Sequence, residues 1–335
     1  MKSFINGEKW RALQRSKFRK RLARERRHRK DLQRQRKQKK FYSSVPTVKL
    51  PEDFSLTGNP QETLGAFLKI QRRARKNRKV HIDFQPVQKI RLGALAYLLS
   101  IWELETATRP GLKFHGNKPV LQEPKSIYES SGFQEYTGQT SQRESHEPIK
   151  GQTFRITPGE RVLPEVAASI NDFIRDKFPT VNRILTKRIY EIILECLNNT
   201  KQHAYRGISN YRKWWVMAIH DQDRQEIHIT FLDQGEGIPN TVKKRLMEKF
   251  SSSDEKILIS TMKGEARSGT GERFRGKGLP TIRRRAREGI ISNLLVISGE
   301  GLYTCTTKEE RSSKLPATLR GTLLHWTVKH GNEGN

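Results

Sequence analysis

The sequence predicts a mixed α/β protein, with two folded segments behind a basic arm. Three observations carry this. Residues 61–134 alternate between helix-like and strand-like stretches, and residues 156–330 do so again with glycine turns at the strand ends. Residues 43–60 and 135–155 are rich in Pro, Gly or polar side chains and read as linkers around the first segment. Residues 1–42 carry neither signature: from Lys9 to Lys40 there is no Pro or Gly, and Arg, Lys, Gln, Ala and Leu dominate.

The arm comes first. Residues 1–40 hold 18 Lys or Arg against three acids, Glu8, Glu25 and Asp31. The whole chain has 335 residues and a formal net charge of +30, so half the excess lies in this stretch. Its apolar residues, Trp10, Leu13, Phe18, Leu22 and Leu32, are too sparse to bury a stripe against a core. Like charges along it repel, so by itself the arm is expected to be a frayed helix or disordered. A polyanion would relieve the repulsion and release counterions. The expected contacts are Arg15, Lys17, Arg19, Lys20, Arg21, Arg24, Arg26, Arg27, Arg29, Lys30, Arg34 and Arg36, on nucleic acid or a ribonucleoprotein. An acidic protein partner, or solubility alone, are the other readings. No DNA-reading motif accompanies the charge, so sequence-specific recognition is not expected.

Composition excludes several classes. The longest mostly apolar stretch, Leu92 to Trp102, has 11 residues, whereas a membrane helix needs about 20. No charged-then-apolar start with a cleavage site is present, and two cysteines, Cys196 and Cys305, make neither a disulfide framework nor a zinc site. A cytoplasmic protein with no membrane partner is the expectation.

In the first segment, Gln61 to Asn77 reads as a helix ending in the cluster Arg72, Arg73, Arg75, Lys76, Arg78 and Lys79. Val80 to Phe84 alternates as a strand, Gly93 to Leu104 reads as an apolar helix, Gly111 to Phe114 as a second strand, and Ile127 to Phe133 as a short helix. The stretches "VHIDFQPVQKIRLGALAYLL", "GLKFHGNKP" and "SIYESSGF" make about 75 residues resemble a STAS domain, the fold of anti-sigma-factor antagonists. Such domains often carry a phosphorylatable serine before the long helix. Here that stretch is Lys89-Ile90-Arg91-Leu92-Gly93, without Ser or Thr. A small α/β adaptor that docks a protein partner is the expected role.

The second segment carries the chemistry. Residues 160–205 read as two helical pieces parted near Pro179, and in the second Glu195, Asn199 and His203 recur every four residues on one face. A carboxylate and an amide one turn apart are the oxygen groups that hydrated Mg²⁺ and an attacking water need. Two strands, Trp214 to His220 and Glu226 to Leu232, form a hairpin, and the second runs into Asp233-Gln234-Gly235-Glu236-Gly237-Ile238. An acid at a strand end, followed by alternating glycines, lets backbone approach a ligand that the carboxylate hydrogen-bonds. Residues 251–270, rich in Ser, Gly and Lys, suit a mobile lid. Gly276-Lys277-Gly278-Leu279 then opens a basic helix, whose N-terminal N–H groups favour phosphate. Strands at Asn293 to Ser298 and Leu323 to Val328 bracket a loop, and the last follows Gly321-Thr322.

In this order the pieces, over about 170 residues, resemble the GHKL family of ATP-binding domains. The resemblance implies a Bergerat fold, an α/β sandwich with ATP held between helices and a mixed sheet. It implies that Asn199 binds the Mg²⁺ bridging the phosphates, with His203 on the same helix face. Asp233 would accept from the adenine amino group, with Thr322 close by, and Gly235, Gly237 and Ile238 would pass beneath the base. Gly276, Lys277, Gly278 and Leu279 would close over the phosphates. Glu195 matches the position that activates the attacking water; Glu191, one turn earlier, competes for that role, but His203-Ala204 fixes the register in favour of Glu195. Pro280 stands where a further family glycine is often found.

The function expected is an ATP-binding, nucleotide-dependent switch with Glu195 as catalytic base, dimerisation accompanying nucleotide binding, and a nucleic-acid tether. A bacterial regulatory or defence operon suits this architecture. The alternatives are an anti-sigma-type Ser/Thr protein kinase and a nucleic-acid-binding scaffold with structural ATP.

Overall fold

The computed structural model describes residues 45–137, 149–200, 213–246, 252–265 and 278–331, together with Lys17, Arg19, Lys20, Arg24, Glu25, Arg26 and Arg29 of the arm. The chain is mixed α/β, with both parallel and antiparallel strand pairs. The first segment runs β1 (Thr47–Lys49), β2 (Asp53–Phe54), α1 (Pro60–Lys76), β3 (Lys79–Asp83), β4 (Lys89–Ile90), α2 (Leu92–Thr108), β5 (Lys113–Gly116), α3 (Gln122–Ser130) and α4 (Phe133–Tyr136). Strands β1, β3 and β5 form a parallel sheet in that order, and β2 pairs in parallel with β4.

Residues 43–60 are therefore no plain linker. Thr47 pairs with His81 and Asp53 with Lys89, while Val48, Leu50, Phe54 and Leu56 are buried. The prolines that suggested a linker flank the strands, and Pro60 occupies the helix start, where its missing N–H costs nothing.

The second segment runs β6 (Ile149–Lys150), β7 (Thr153–Gly159), α5 (Pro164–Lys177), α6 (Arg183–Asn199), β8 (Trp214–Asp221), β9 (Glu226–Asp233), α7 (Ile238–Leu246), α8 (Asp254–Lys263), α9 (Gly278–Arg287), β10 (Ser292–Cys305) and β11 (Glu310–Lys329). Its six strands lie in the order β10-β11-β9-β8-β7-β6. Every pair is antiparallel, where a mixed sheet was expected. The stretch 149–155, read as linker, begins this sheet.

Strand β8 explains the architecture. Trp214, Val216 and Ala218 point to one face and Trp215 and Met217 to the other, all fully buried. A strand apolar on both sides needs cover on both. On one face α5, α6, α8 and α9 bury Phe173, Ile193, Leu258 and Ile282 against the sheet. On the other, Trp215, Met217, Leu232 and Leu323 join the core of the first segment. Helix α2, apolar all round, is the slab between: nearly every residue from Leu92 to Ile101 is buried, and it packs on β8 and β9. The two segments share a core.

The expected loop before the last strand is strand as well. From Glu310 to Lys314, β11 pairs with β10, and the register jumps between Gly301↔Lys314 and Gly299↔Leu319. That break absorbs Pro316, which cannot donate to a ladder. Around it Leu315, Ala317 and Leu319 alternate inward and reach the first segment. In the arm, the described residues are helical and exposed. No helix among the described residues is long and apolar enough to cross a membrane.

Candidate functional site

Helix α6 is capped by Asn182, whose Oδ1 accepts the N–H of Ile184 at 2.8 Å. Leu185, Ile189, Ile192, Ile193, Cys196 and Leu197 face the core, which leaves Glu191, Glu195 and Asn199 half-buried along one edge. Arg188 and Arg285 both bind Glu191, at 3.1 and 3.2 Å. Glu195 has no ion pair among the described residues. Burial, and then the charge of Glu191, push its carboxyl above the usual range. Among the described residues, then, Glu191 is tied by two arginines and Glu195 is not.

Gly278, the first residue of α9, meets this edge. A Cβ there would stand 2.6 Å from Glu195 Oε2 and 3.2 Å from Asn199 Nδ2, so any larger residue would push these two side chains aside. The N-terminus of α9, with its unpaired N–H groups and positive dipole end, thus abuts the carboxylate and the amide. Leu279 packs against the core beside it.

Asp233 ends β9 and is buried. The N–H of Gly235 donates to its Oδ1 at 2.8 Å, and the backbone N–H of Thr322 also reaches the carboxyl. These bonds only partly offset burial, which raises its pKa to about 7. Thr322 pairs with Asp233 across the β9–β11 ladder. The turn that follows is held at Ser298. Its hydroxyl accepts the N–H of Ile238 at 2.8 Å and donates to Gly321 O at 2.9 Å, which leaves Thr322 Oγ1, 3.1 Å away, as donor to it. Two left-handed glycines make this packing possible. Gly237 lies at φ 82° and Gly321 at φ 88°, and a Cβ on Gly321 would fall 1.9 Å from Asp233 O. Cys196 of α6 and Phe231 of β9, two residues before Asp233, lie in one buried core.

Of the expected site residues, Glu195 and Asn199 meet Gly278 where α9 crosses α6, with Leu279 packed beside it, and Asp233, Gly235, Gly237, Ile238 and Thr322 gather at the ends of β9 and β11. His203, Gly276 and Lys277 lie outside the described residues. So do Arg15, Arg21, Arg27, Lys30, Arg34 and Arg36 of the arm, whereas Lys17, Arg19, Lys20, Arg24, Arg26 and Arg29 are exposed. Part of the expected lid is something else: Asp254–Lys263 is a helix whose Leu258 and Met262 are fully buried, with Gly264 closing its C-terminus. Ser298, the hub of the turn, was not foreseen. It ends an apolar run, and no local spacing marks it.

A buried carboxylate such as Asp233 can accept from an amino group, and the start of a helix such as α9 can donate N–H groups to an anion. Among the described residues no group of three or more His, Cys, Asp or Glu could hold a metal ion. The amide oxygen of Asn199 is of the kind that Mg²⁺ takes, since that ion needs only one or two protein oxygens and completes its shell with water and phosphate.

Compared with models of known families and with curated proteins, the chain finds no match.

Proposed function

We propose that the chain is an ATP-binding, nucleotide-dependent switch of GHKL type. In this reading the second segment is a Bergerat-like sandwich and the first a STAS-like module fused to its sheet. The observation that carries it is the convergence of Glu195 and Asn199 on the start of α9, together with a buried aspartate at a strand end. Asp233 would accept from the base, the N-terminus of α9 would meet the phosphates, and Asn199 would hold Mg²⁺. Glu195, raised by burial, would take the proton of the attacking water. The exposed cations of the arm would tether the switch to nucleic acid, with salt-sensitive affinity.

Calorimetric titration of Mg-ATP into the wild type and Asp233→Asn, with a phosphate-release assay, tests this. Binding in the wild type that the substitution abolishes, with slow release of phosphate, is the expected result. Label transferred from ATP to a protein would make the same site a kinase. No binding to the wild type would refute the reading.

A further inference from the structure

A second strongly basic surface lies on the first segment, away from the arm. Helix α1 buries Leu64, Phe67, Ile70 and Ala74 on one side. The opposite side presents Lys69, Arg72, Arg73 and Lys76, at the i, i+3, i+4, i+7 spacing of one stripe, all exposed. Over seven residues this stripe is about 10 Å long. Arg75 and Arg78 extend it, and from Lys69 to Lys79 there is no Asp or Glu. Among the described residues, Arg72, Arg73, Arg75, Lys76 and Arg78 form no ion pair. Cations suit a helix C-terminus, but that accounts for the last turn only.

The adjoining strands add to the same end. The N–H of Lys113 donates to Arg78 O at 2.9 Å, bringing the start of β5 against the end of the α1–β3 connection. In the parallel register Lys79 stands opposite Lys113, both exposed, and His81 opposite His115. The His115 ring is held below its ordinary pKa, first by burial and then by these two lysines. The fold thus gathers these cations at one end of the segment, beside the basic stripe of α1.

We infer that the C-terminal half of α1 and the β3–β5 edge form a second nucleic-acid-binding surface, one that contacts the phosphate backbone independently of the arm. Two features favour nucleic acid over an acidic protein. A protein interface has an apolar centre, yet none of the exposed large apolar residues (Val120, Leu121 and Ile184) lies on α1 or on these strands. Guanidinium groups supply most of the helical charge, and their planar forks match phosphate oxygens. With no exposed aromatic in the patch, contact is with backbone and independent of sequence.

The test uses the full-length chain and a 30-base-pair duplex of random sequence, with affinity measured across a salt series. Each phosphate contact adds about 0.9 to the slope of log affinity against log salt, so R72Q/R73Q/K76Q should lower it by about 2.7 with the arm intact. Gln has nearly the helix propensity of Arg and Lys, which keeps α1 folded. K79Q/K113Q should lower the slope by about 1.8. Neutralising the arm's cations should subtract its own share, so failure of the tether and failure of this surface are read separately. An unchanged slope in both α1 and strand variants overturns the inference. So does a loss of affinity for poly-L-glutamate with none for the duplex, which would assign the surface to an acidic protein.

Discussion

Gln234 Nε2 donates to Ser100 Oγ across 2.6 Å, joining the residue beside the site's aspartate to the middle of α2, 134 positions earlier. Both residues are buried, and Ser100 in turn donates to Tyr97 O at 2.6 Å. Nearby, Lys213 reaches Glu103 at 3.0 Å and the N–H of Arg320 reaches the Tyr97 hydroxyl at 2.9 Å. The strand end carrying Asp233 is therefore braced from behind by the first segment.

Ser100→Ala removes the partner of a buried amide, whose Oε1 already lacks one. A loss of about 1–3 kcal/mol is expected. Affinity for Mg-ATP should fall several-fold with it, since Gln234 adjoins Asp233. Melting and calorimetry together check this; lost stability with unchanged affinity would make the bond purely structural.

Asp233 and His325 give opposite pH dependences. The Asp233 carboxyl titrates at about 7 in the folded chain instead of 3.8, so the folded state retains a proton that the unfolded chain releases between these values, and stability falls as pH rises through them. Burial, the stacked ring of His228 and the charge of Arg91 hold His325 at about 3 instead of 6.5. The unfolded chain there takes up a proton that the fold refuses, so stability falls as pH drops from 6.5 toward 3. Each group contributes at most about 1.4 kcal/mol per pH unit. Relative to wild type, Asp233→Asn should gain stability with rising pH and His325→Gln with falling pH, measured as urea midpoints between pH 4.5 and 6.5. Tilts of the same sign would contradict these environments.

Glu195→Gln should cut phosphate release by about 10²–10⁴-fold and leave Mg-ATP affinity within about threefold. Glu191→Gln instead loosens its bonds with Arg188 and Arg285, so its main effect should be on melting temperature. Steady-state rates and thermal scans of both variants separate base from brace; a turnover loss confined to Glu191→Gln would reverse the roles.

Two glycine-to-alanine changes should move stability in opposite directions. At Gly321 the positive φ and the 1.9 Å approach to Asp233 O force the backbone apart, at a cost of about 2 kcal/mol or more. At Gly65, inside α1, nothing lies within 4 Å of the new methyl, and a gain of about 0.5–1 kcal/mol follows from helix propensity. Urea denaturation of the two variants measures both.

Much of the candidate site was legible locally. The four-residue spacing of Glu195 and Asn199 needs only a helix, and Asp233 followed by glycines needs only a strand that ends in a turn. What joined them was not. That Gly278 comes close to Glu195 depends on how α9 lies across α6, and Ser298 becomes a hub only because Ile238 and the pair Gly321-Thr322 converge on it from two separate stretches. That Glu191 is tied likewise depends on Arg285, which is 94 positions away.

By itself the sequence determined the α/β class, the helices that a 3.6-residue period or an unbroken apolar run marks, the glycine turns, and the charge of the arm and of α1. These follow from local sterics, periodicity and composition. The tertiary structure alone decided the fate of segments whose hydrogen bonds lie elsewhere. Thr47–Lys49 is a strand because β3 is beside it, and Glu310–Lys314 because β10 is. It also decided that the first segment covers the second face of the sheet. Trp215 and Met217 announced that some cover was needed; only packing could say that α2 supplies it, because burial is a property of what approaches a residue and not of the residue itself.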